Sequence, residues 1–238
     1  MKRTKVLITG TSSGLGWGLA HYYLKQGFEV YGMSRREPHD LVAINNYHHL
    51  CVDLSNLKEE QGIASFIKSI GNDLNLAILN AGILGGIETL KNTNIEQLKK
   101  IVDINLWSNK LLIDNLILHQ KKIPQVVAIS SGASINGSKG WGGYSISKAA
   151  LNMMVKLYAA EHAQIHFTSL APGLIDSTMQ DYLCEEVDQT EFPSALRLFE
   201  ARGTDLMPRP LRAGELIAIA IEKCKQEPSG SYLDVRKL

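Results

Sequence analysis

The chain has 238 residues, 45% of them hydrophobic, which suits one α/β domain with a sizeable core. Its formal net charge of +1 leaves no electrostatic footprint for nucleic acid or an acidic membrane surface. Three cysteines and seven histidines, widely scattered, exclude a disulfide framework and give no metal-ligand spacing, so no metal is expected.

The amino terminus runs straight into Lys5-Val6-Leu7-Ile8, with no signal peptide and no long apolar run. That start predicts a soluble, cytoplasmic protein. Residues 4–9 read as a first strand, ending in the glycine-rich turn Thr9–Gly16, with a helix-length segment to about Gln26. Strand, glycine-rich turn and helix together predict a phosphate cradle: glycines let the backbone approach a pyrophosphate, and the helix amino terminus offers unpaired N–H groups. The candidate cofactor contacts are Gly10, Ser12, Ser13, Gly14, Leu15 and Gly16. The spacing T-G-x-x-x-G-x-G has one residue more in the turn than G-x-G-x-x-G. Trp17 and Gly18, in the first helical turns, carry no evident chemistry.

Phe28–Met33 reads as the second strand. In dinucleotide folds the residue after this strand meets the adenosine ribose, where a carboxylate favours NAD. Here stand Ser34, Arg35 and Arg36. An arginine pairs with a 2′-phosphate in charge-assisted hydrogen bonds worth roughly 1.5–3 kcal/mol each, so Arg35 favours NADP(H) over NAD(H). Residues 38–46 read as irregular. His48–Val52 is a third strand ending in Asp53-Leu54, where the carboxylate either accepts from an adenine amino group or caps a helix near 56–70. Leu76–Leu79 is the fourth, apolar as a covered parallel strand should be. Asn80-Ala81-Gly82 after it are small enough for a nucleotide to lie against the backbone.

The spacing predicts one long helix from Ile95 to about Gln120, interrupted in character only by Asn105, a weak helix former. Its polarity is either wanted by a site or satisfied by neighbouring backbone. Residues 124–130 read as a fifth strand that delivers Ser131, followed by a loop with five glycines and Trp141. A helix from Gly143 to about His162 carries Tyr144 and Lys148. Four residues apart, these two side chains share one helix face. An ammonium about 5 Å from a phenol, at an effective dielectric of about 20, favours the phenolate by roughly 3 kcal/mol. That is about two pKa units. Tyr144 would then give or take a proton near neutrality while Ser131 holds the substrate oxygen.

Residues 165–170 form a sixth strand leading to Ala171-Pro172-Gly173. From 174 to 210 the pattern loosens into a mixture of polar and large apolar groups, read as a substrate lid. Met179 in this segment and Trp141 in the earlier glycine-rich loop are candidate substrate contacts. Residues 211–224 read as a last helix, and 231–235 as a final strand. Nothing suggests a role for Cys184.

Taken together, Thr9–Gly16, Asp53-Leu54, Asn80-Ala81-Gly82, Asn105, Ser131 with Tyr144 and Lys148, and Pro172-Gly173 resemble the short-chain dehydrogenase/reductase family over nearly the whole chain. The resemblance implies a Rossmann-like, doubly wound sheet of seven parallel strands and a catalytic tetrad of Asn105, Ser131, Tyr144 and Lys148. It implies homodimers or homotetramers joined through the helices carrying Asn105 and Tyr144. Family members hold the nicotinamide amide shortly after the Pro-Gly pair, which implicates Ile175 and Ser177. A narrower likeness, in residues 172–180 and in Ser229–Asp234, is to the sepiapterin reductase and benzil reductase branch; by position it makes Asp234 a substrate anchor. The implied activity is NADPH-dependent reduction of a small ketone or vicinal dicarbonyl. The alternatives are oxidation of a small hydroxy compound with NAD(P), or an NADP(H)-binding sensor without catalysis.

Overall fold

A computed structural model describes residues 3–120 and 122–238. Seven strands form one parallel sheet: β1 (Lys5–Thr9), β2 (Glu29–Ser34), β3 (Tyr47–Cys51), β4 (Leu74–Leu79), β5 (Gln125–Ile129), β6 (His166–Ala171) and β7 (Ser231–Asp234). Their order is β3-β2-β1-β4-β5-β6-β7. Ile8 of β1 lies level with Gly32 of β2 and Ile78 of β4, so the order reverses beside β1. A crevice opens there at the carboxyl ends of the strands.

Alternation of side chains along the strands sorts them into two cores. Leu7 points into one, with Ile63 and Ile67 of α3 (Glu60–Ser69), Leu112 and Leu116 of α5 (Ser108–His119), and Leu151 and Val155 of α6 (Gly142–Glu161). Val6 and Ile8 point into the other, with Leu19 and Tyr23 of α1 (Gly14–Lys25), and Ile217 and Ile221 of α9 (Pro210–Cys224). The result is three layers, helices covering both faces of the sheet.

The segment after β2 is not wholly irregular. It contains a one-turn helix, α2 (His39–Val42), started by Pro38 and anchored by the buried Leu41. The expected long helix is divided in three. α4 (Ile95–Val102) and α5 flank a wide turn, Asp103–Trp107, with π-helical bonding. Such a turn carries one extra residue, and here Asn105 stands at its centre. Side chains satisfy the carbonyls it disturbs: Ser108 Oγ donates to Ile104 O (2.6 Å) and Asn109 Nδ2 to Asn105 O (2.8 Å).

The segment 174–210 also folds into helices, α7 (Thr178–Glu185) and α8 (Pro193–Ala201). Leu183, Leu198 and Met207 bury against Leu84 in a small core of their own. Arg202 ties this segment together, pairing with Asp181, with Glu185 at 2.9 Å and with Asp176 at 3.5 Å. Gly18 and Gly214 allow α1 and α9 to cross with backbones touching: a Cβ on Gly18 would stand 1.9 Å from Pro210 O. Trp17 Nε1 donates to Asp40 at 2.8 Å, fastening α1 to α2. Among the described residues no helix is long and apolar enough to cross a membrane.

Candidate active site

The glycine-rich turn after β1 takes its form from a few backbone demands. Gly10 has φ +77° and Gly14 φ +58°, the left-handed region that glycine enters without penalty. At Gly16 a Cβ would meet Gly10 O at 2.3 Å, so the turn closes only around a hydrogen. Asn80 cross-links it to β4: Asn80 Nδ2 donates to Thr9 O, and the Asn80 and Ala81 N–H groups both donate to Thr9 Oγ1, all at 2.9 Å. α1 begins at Gly14 with no acidic residue in its first turn and no side chain closing over its N–H groups. A helix end with free donors and no opposing carboxylate fits a pyrophosphate.

A crevice of about 410 Å³ runs from this turn in both directions. Toward β2 it is lined by Ser34, Arg35 and Arg36, and toward β3 by Asp53 and Leu54. Arg36 thus stands at the wall together with Arg35. The Ser34 hydroxyl donates to Arg36 O (2.8 Å) and fixes the bend that presents both side chains. Asp53 borders the crevice and closes a local turn, without capping α3 itself. Its Oδ1 accepts from Ser55 N (2.9 Å) and Ser55 Oγ (2.7 Å), closing the turn before α3, while the residue borders the crevice. Those bonds, with Arg35 nearby, hold its carboxyl below the usual range.

In the other direction the walls are Asn80, Ala81, Gly82, Ser131, Trp141, Tyr144, Lys148, Pro172, Gly173, Ile175, Ser177 and Met179. Ser12, Ser13, Gly10, Gly14 and Leu15 line its middle. Gly16 and Asn105 stand behind the wall. Asn105 is fully buried; its Oδ1 accepts from Ile83 N and its Nδ2 donates to Ile83 O, both at 2.8 Å, with Ser147 Oγ at 3.0 Å. It therefore ties the wide turn to the loop after β4 and to α6. Lys148 is also buried, its ammonium donating to Ile129 O at 2.7 Å and lying 5.8 Å from the centre of the Tyr144 ring.

Burial drives the lysine from 10.5 to about 8, a value at which most of it is still charged at neutrality. The expected net lowering of the Tyr144 pKa is not found. Burial raises it, and the Ser131 hydroxyl beside it works in the opposite direction. The lysine's charge is directed at a backbone carbonyl, so the group countering burial at the phenol is the serine. What stands at the end of the crevice is a phenol, a hydroxyl and an ammonium, able together to protonate or deprotonate an oxygen.

The placement of Asp234 corrects an expectation. It does not line the crevice; both of its oxygens are occupied by Arg236, at 2.8 Å (Nε to Oδ1) and 2.5 Å (Nη2 to Oδ2), and Oδ1 also caps the last turn through Arg236 N. The sequence pattern placed Asp234 correctly on the last strand, but an arginine two residues on neutralises it.

Sequence reasoning missed Ile83, Ile104, Leu174, Gln180, Leu183 and Leu198, all at the wall. Ile104 reaches it from within the wide turn. The apolar spacing of the segment 174–210 could have signalled helices, though not which face meets the crevice. Trp141 is held by a bond from its Nε1 to Ser194 Oγ (2.8 Å), its ring 6.0 Å from that of Tyr144.

The family model described as short chain dehydrogenase matches residues 4–188. The chain belongs to the short-chain dehydrogenase family. It is a short-chain oxidoreductase with a Rossmann-like fold. A benzil reductase ((S)-benzoin forming) of Bacillus cereus is 33% identical over 199 residues, 76% of this chain and 79% of that protein. The structure of the short-chain dehydrogenase/reductase YIR035C from Saccharomyces cerevisiae superposes with a TM-score of 0.87 at 23% identity, covering 98% of this chain and 96% of that one. A structure of ElxO with NADP bound superposes at 0.80 and 23% identity, covering 98% and 97%. Within this short-chain dehydrogenase the sheet, the crevice and the tyrosine–lysine pair occupy one continuous surface.

Proposed function

We propose that this oxidoreductase is an NADPH-dependent carbonyl reductase acting on small apolar ketones or vicinal dicarbonyls. The observation that carries the reading is the meeting of the Tyr144 and Ser131 hydroxyls, with Lys148 beside them, at one end of a crevice whose other end is edged by Arg35 and Arg36. The benzil reductase relatives support the substrate class, as do Trp141, Met179, Leu183 and Leu198 around the tyrosine.

NADP(H), when bound, supplies or accepts the hydride. Arg35 would pair with its 2′-phosphate, Gly10 to Gly16 would take the pyrophosphate, and Ser177 with Ile175 would hold the carboxamide. Ser131 would donate to the substrate oxygen and set its distance from Tyr144, which delivers the proton. Lys148, charged and dry, would stabilise the phenolate left behind and hold the ribose hydroxyls. A water held at Asn105 would return a proton from solvent to Lys148. Run backwards, the same groups would oxidise a hydroxy compound, the second reading.

The exposed apolar residues Trp107, Ile146, Met153 and Leu157 along the wide turn and α6 support a homodimer or homotetramer formed through this face. Steady-state NADPH consumption with panels of diketones and pterins tests the activity. The wild type should turn over at least one diketone, and Tyr144→Phe should lose the great majority of that rate. Equal turnover by both proteins would remove Tyr144 as the acid.

A further inference from the structure

The carboxyl end of β5 is fastened to α6 by successive polar bonds. Tyr144, Lys148 and Asn152 follow one another at four-residue spacing, one stripe of the helix. Lys148 Nζ takes Ile129 O, and the next residue, Ser130, donates its hydroxyl to Asn152 Oδ1 at 2.6 Å. The same amide donates from Nδ2 to Ser134 Oγ at 2.8 Å. Ser134 in turn donates to Ser131 O at 2.6 Å, which also lies 3.4 Å from Tyr232 OH. Ser131 Oγ accepts from Ala133 N at 3.1 Å, leaving its own proton for the crevice. Asn152 thus grips Ser130 and Ser134, with Ser131 between them.

We propose that Asn152 is a positioning residue, which holds the hydroxyl of Ser131 against Tyr144 by bridging Ser130 and Ser134. The inference rests on the reading of Tyr144 as proton donor and Ser131 as holder of the substrate oxygen. The bridge needs one acceptor and one donor on a single short planar side chain, a demand asparagine meets. Aspartate of the same size brings acceptors alone. Facing it, Ser134 would turn its only proton to the carboxylate, and Ser131 O would lose that bond. The segment 130–134 would then be free to shift, and a misplacement of about 1 Å at a reacting oxygen can cost a hundredfold in rate.

The experiment compares Asn152→Asp, Ser134→Ala and the double variant with the wild type. The first readout needs no substrate: the ultraviolet absorbance of tyrosinate against pH, each protein minus its Tyr144→Phe counterpart. The Ser131 hydroxyl holds the Tyr144 pKa down, so both single variants should ionise at higher pH than the wild type. The second is turnover of the diketone substrate, where kcat should fall about tenfold while KM and NADPH affinity stay within about twofold. The double variant should be no worse than either single one, as expected of one chain of bonds. An unmoved Tyr144 titration with unchanged kcat, alongside a lowered melting temperature, would reduce Asn152 to a helix anchor and overturn the proposal. Should the wild type reduce no carbonyl compound, the proposed function fails, while the titration still decides the role of Asn152.

Discussion

The side-chain amide of Asn105 brackets a single residue, Ile83, accepting from its N–H and donating to its C=O at 2.8 Å each. Both groups lie where the chain leaves β4 and passes the crevice, half-buried beside the wide turn. Asn105→Ala would leave a half-buried donor and a half-buried acceptor without their partner, at about 1–3 kcal/mol apiece. The variant should therefore unfold about 2–4 kcal/mol more easily in urea, and lose activity with it, because Gly82, at the crevice wall, lies beside Asn105 Oδ1. A loss of less than about 1 kcal/mol would show that water replaces the bracket.

Lys148 yields a prediction of opposite sign. Its folded-state value, about 8, is below that of an exposed lysine, so the unfolded chain binds more protons between roughly pH 8 and 10. The native state gains stability as pH rises through that window. At neutrality the buried charge costs about 3 kcal/mol relative to a neutral side chain. Lys148→Met should thus be inactive and yet more stable than the wild type at about pH 7. Its advantage should shrink by about 1 kcal/mol by about pH 9. Chemical denaturation of both proteins at the two values measures this, and a constant gap would mean that the ammonium keeps access to water.

The sequence made the strands and the glycine turn at the crevice legible because each depends on short local patterns: an apolar run, a cluster of glycines, a tyrosine and a lysine one turn apart. The wide turn at Asn105 was visible only as a weak helix former. Its geometry depends on Ile83, 22 residues away in the chain, and no local spacing encodes that partner. Asp234 shows the complementary failure. A carboxylate in a suggestive position carries no record of whether its charge is already taken, and Arg236 took it. The lysine's effect on Tyr144 was misjudged for a related reason: spacing on a helix gives a shared face but not the carbonyl to which the ammonium turns.

Gly18 had no visible purpose in sequence because its partner is almost two hundred residues on. A Cβ there would stand 1.9 Å from Pro210 O, and one on Gly214 would stand 2.2 Å from Gly18 C. Neither obstacle is a flexible side chain, so Gly18→Ala must drive α1 away from α9. The expected cost is about 3 kcal/mol, at the upper end of the overpacking range. Because the same helix presents its amino terminus to the cofactor crevice, NADPH affinity should fall in the folded variant. Ala20→Gly, a cavity-forming change in the same helix, should lower the melting temperature without that loss of affinity. Calorimetric titration of NADPH into both proteins separates the two outcomes.

Arg35 and Arg36 border the crevice beyond β2, where no carboxylate occupies the place expected to exclude a 2′-phosphate. A charge-assisted bond of roughly 1.5–3 kcal/mol corresponds to about 10- to 150-fold in affinity. Arg35→Ala should weaken NADPH by a factor in that range and leave NADH, which lacks the phosphate, within about twofold. Arg36→Ala should act in the same direction and more weakly if Arg35 carries the main contact. Raising the salt concentration should narrow the difference between the two cofactors in the wild type, since both guanidinium groups are exposed and screened. Kd values for NADPH and NADH measured by fluorescence for the three proteins check this. Equal weakening of both cofactors in Arg35→Ala would mean that the arginine supports the fold of the loop and does not recognise the phosphate.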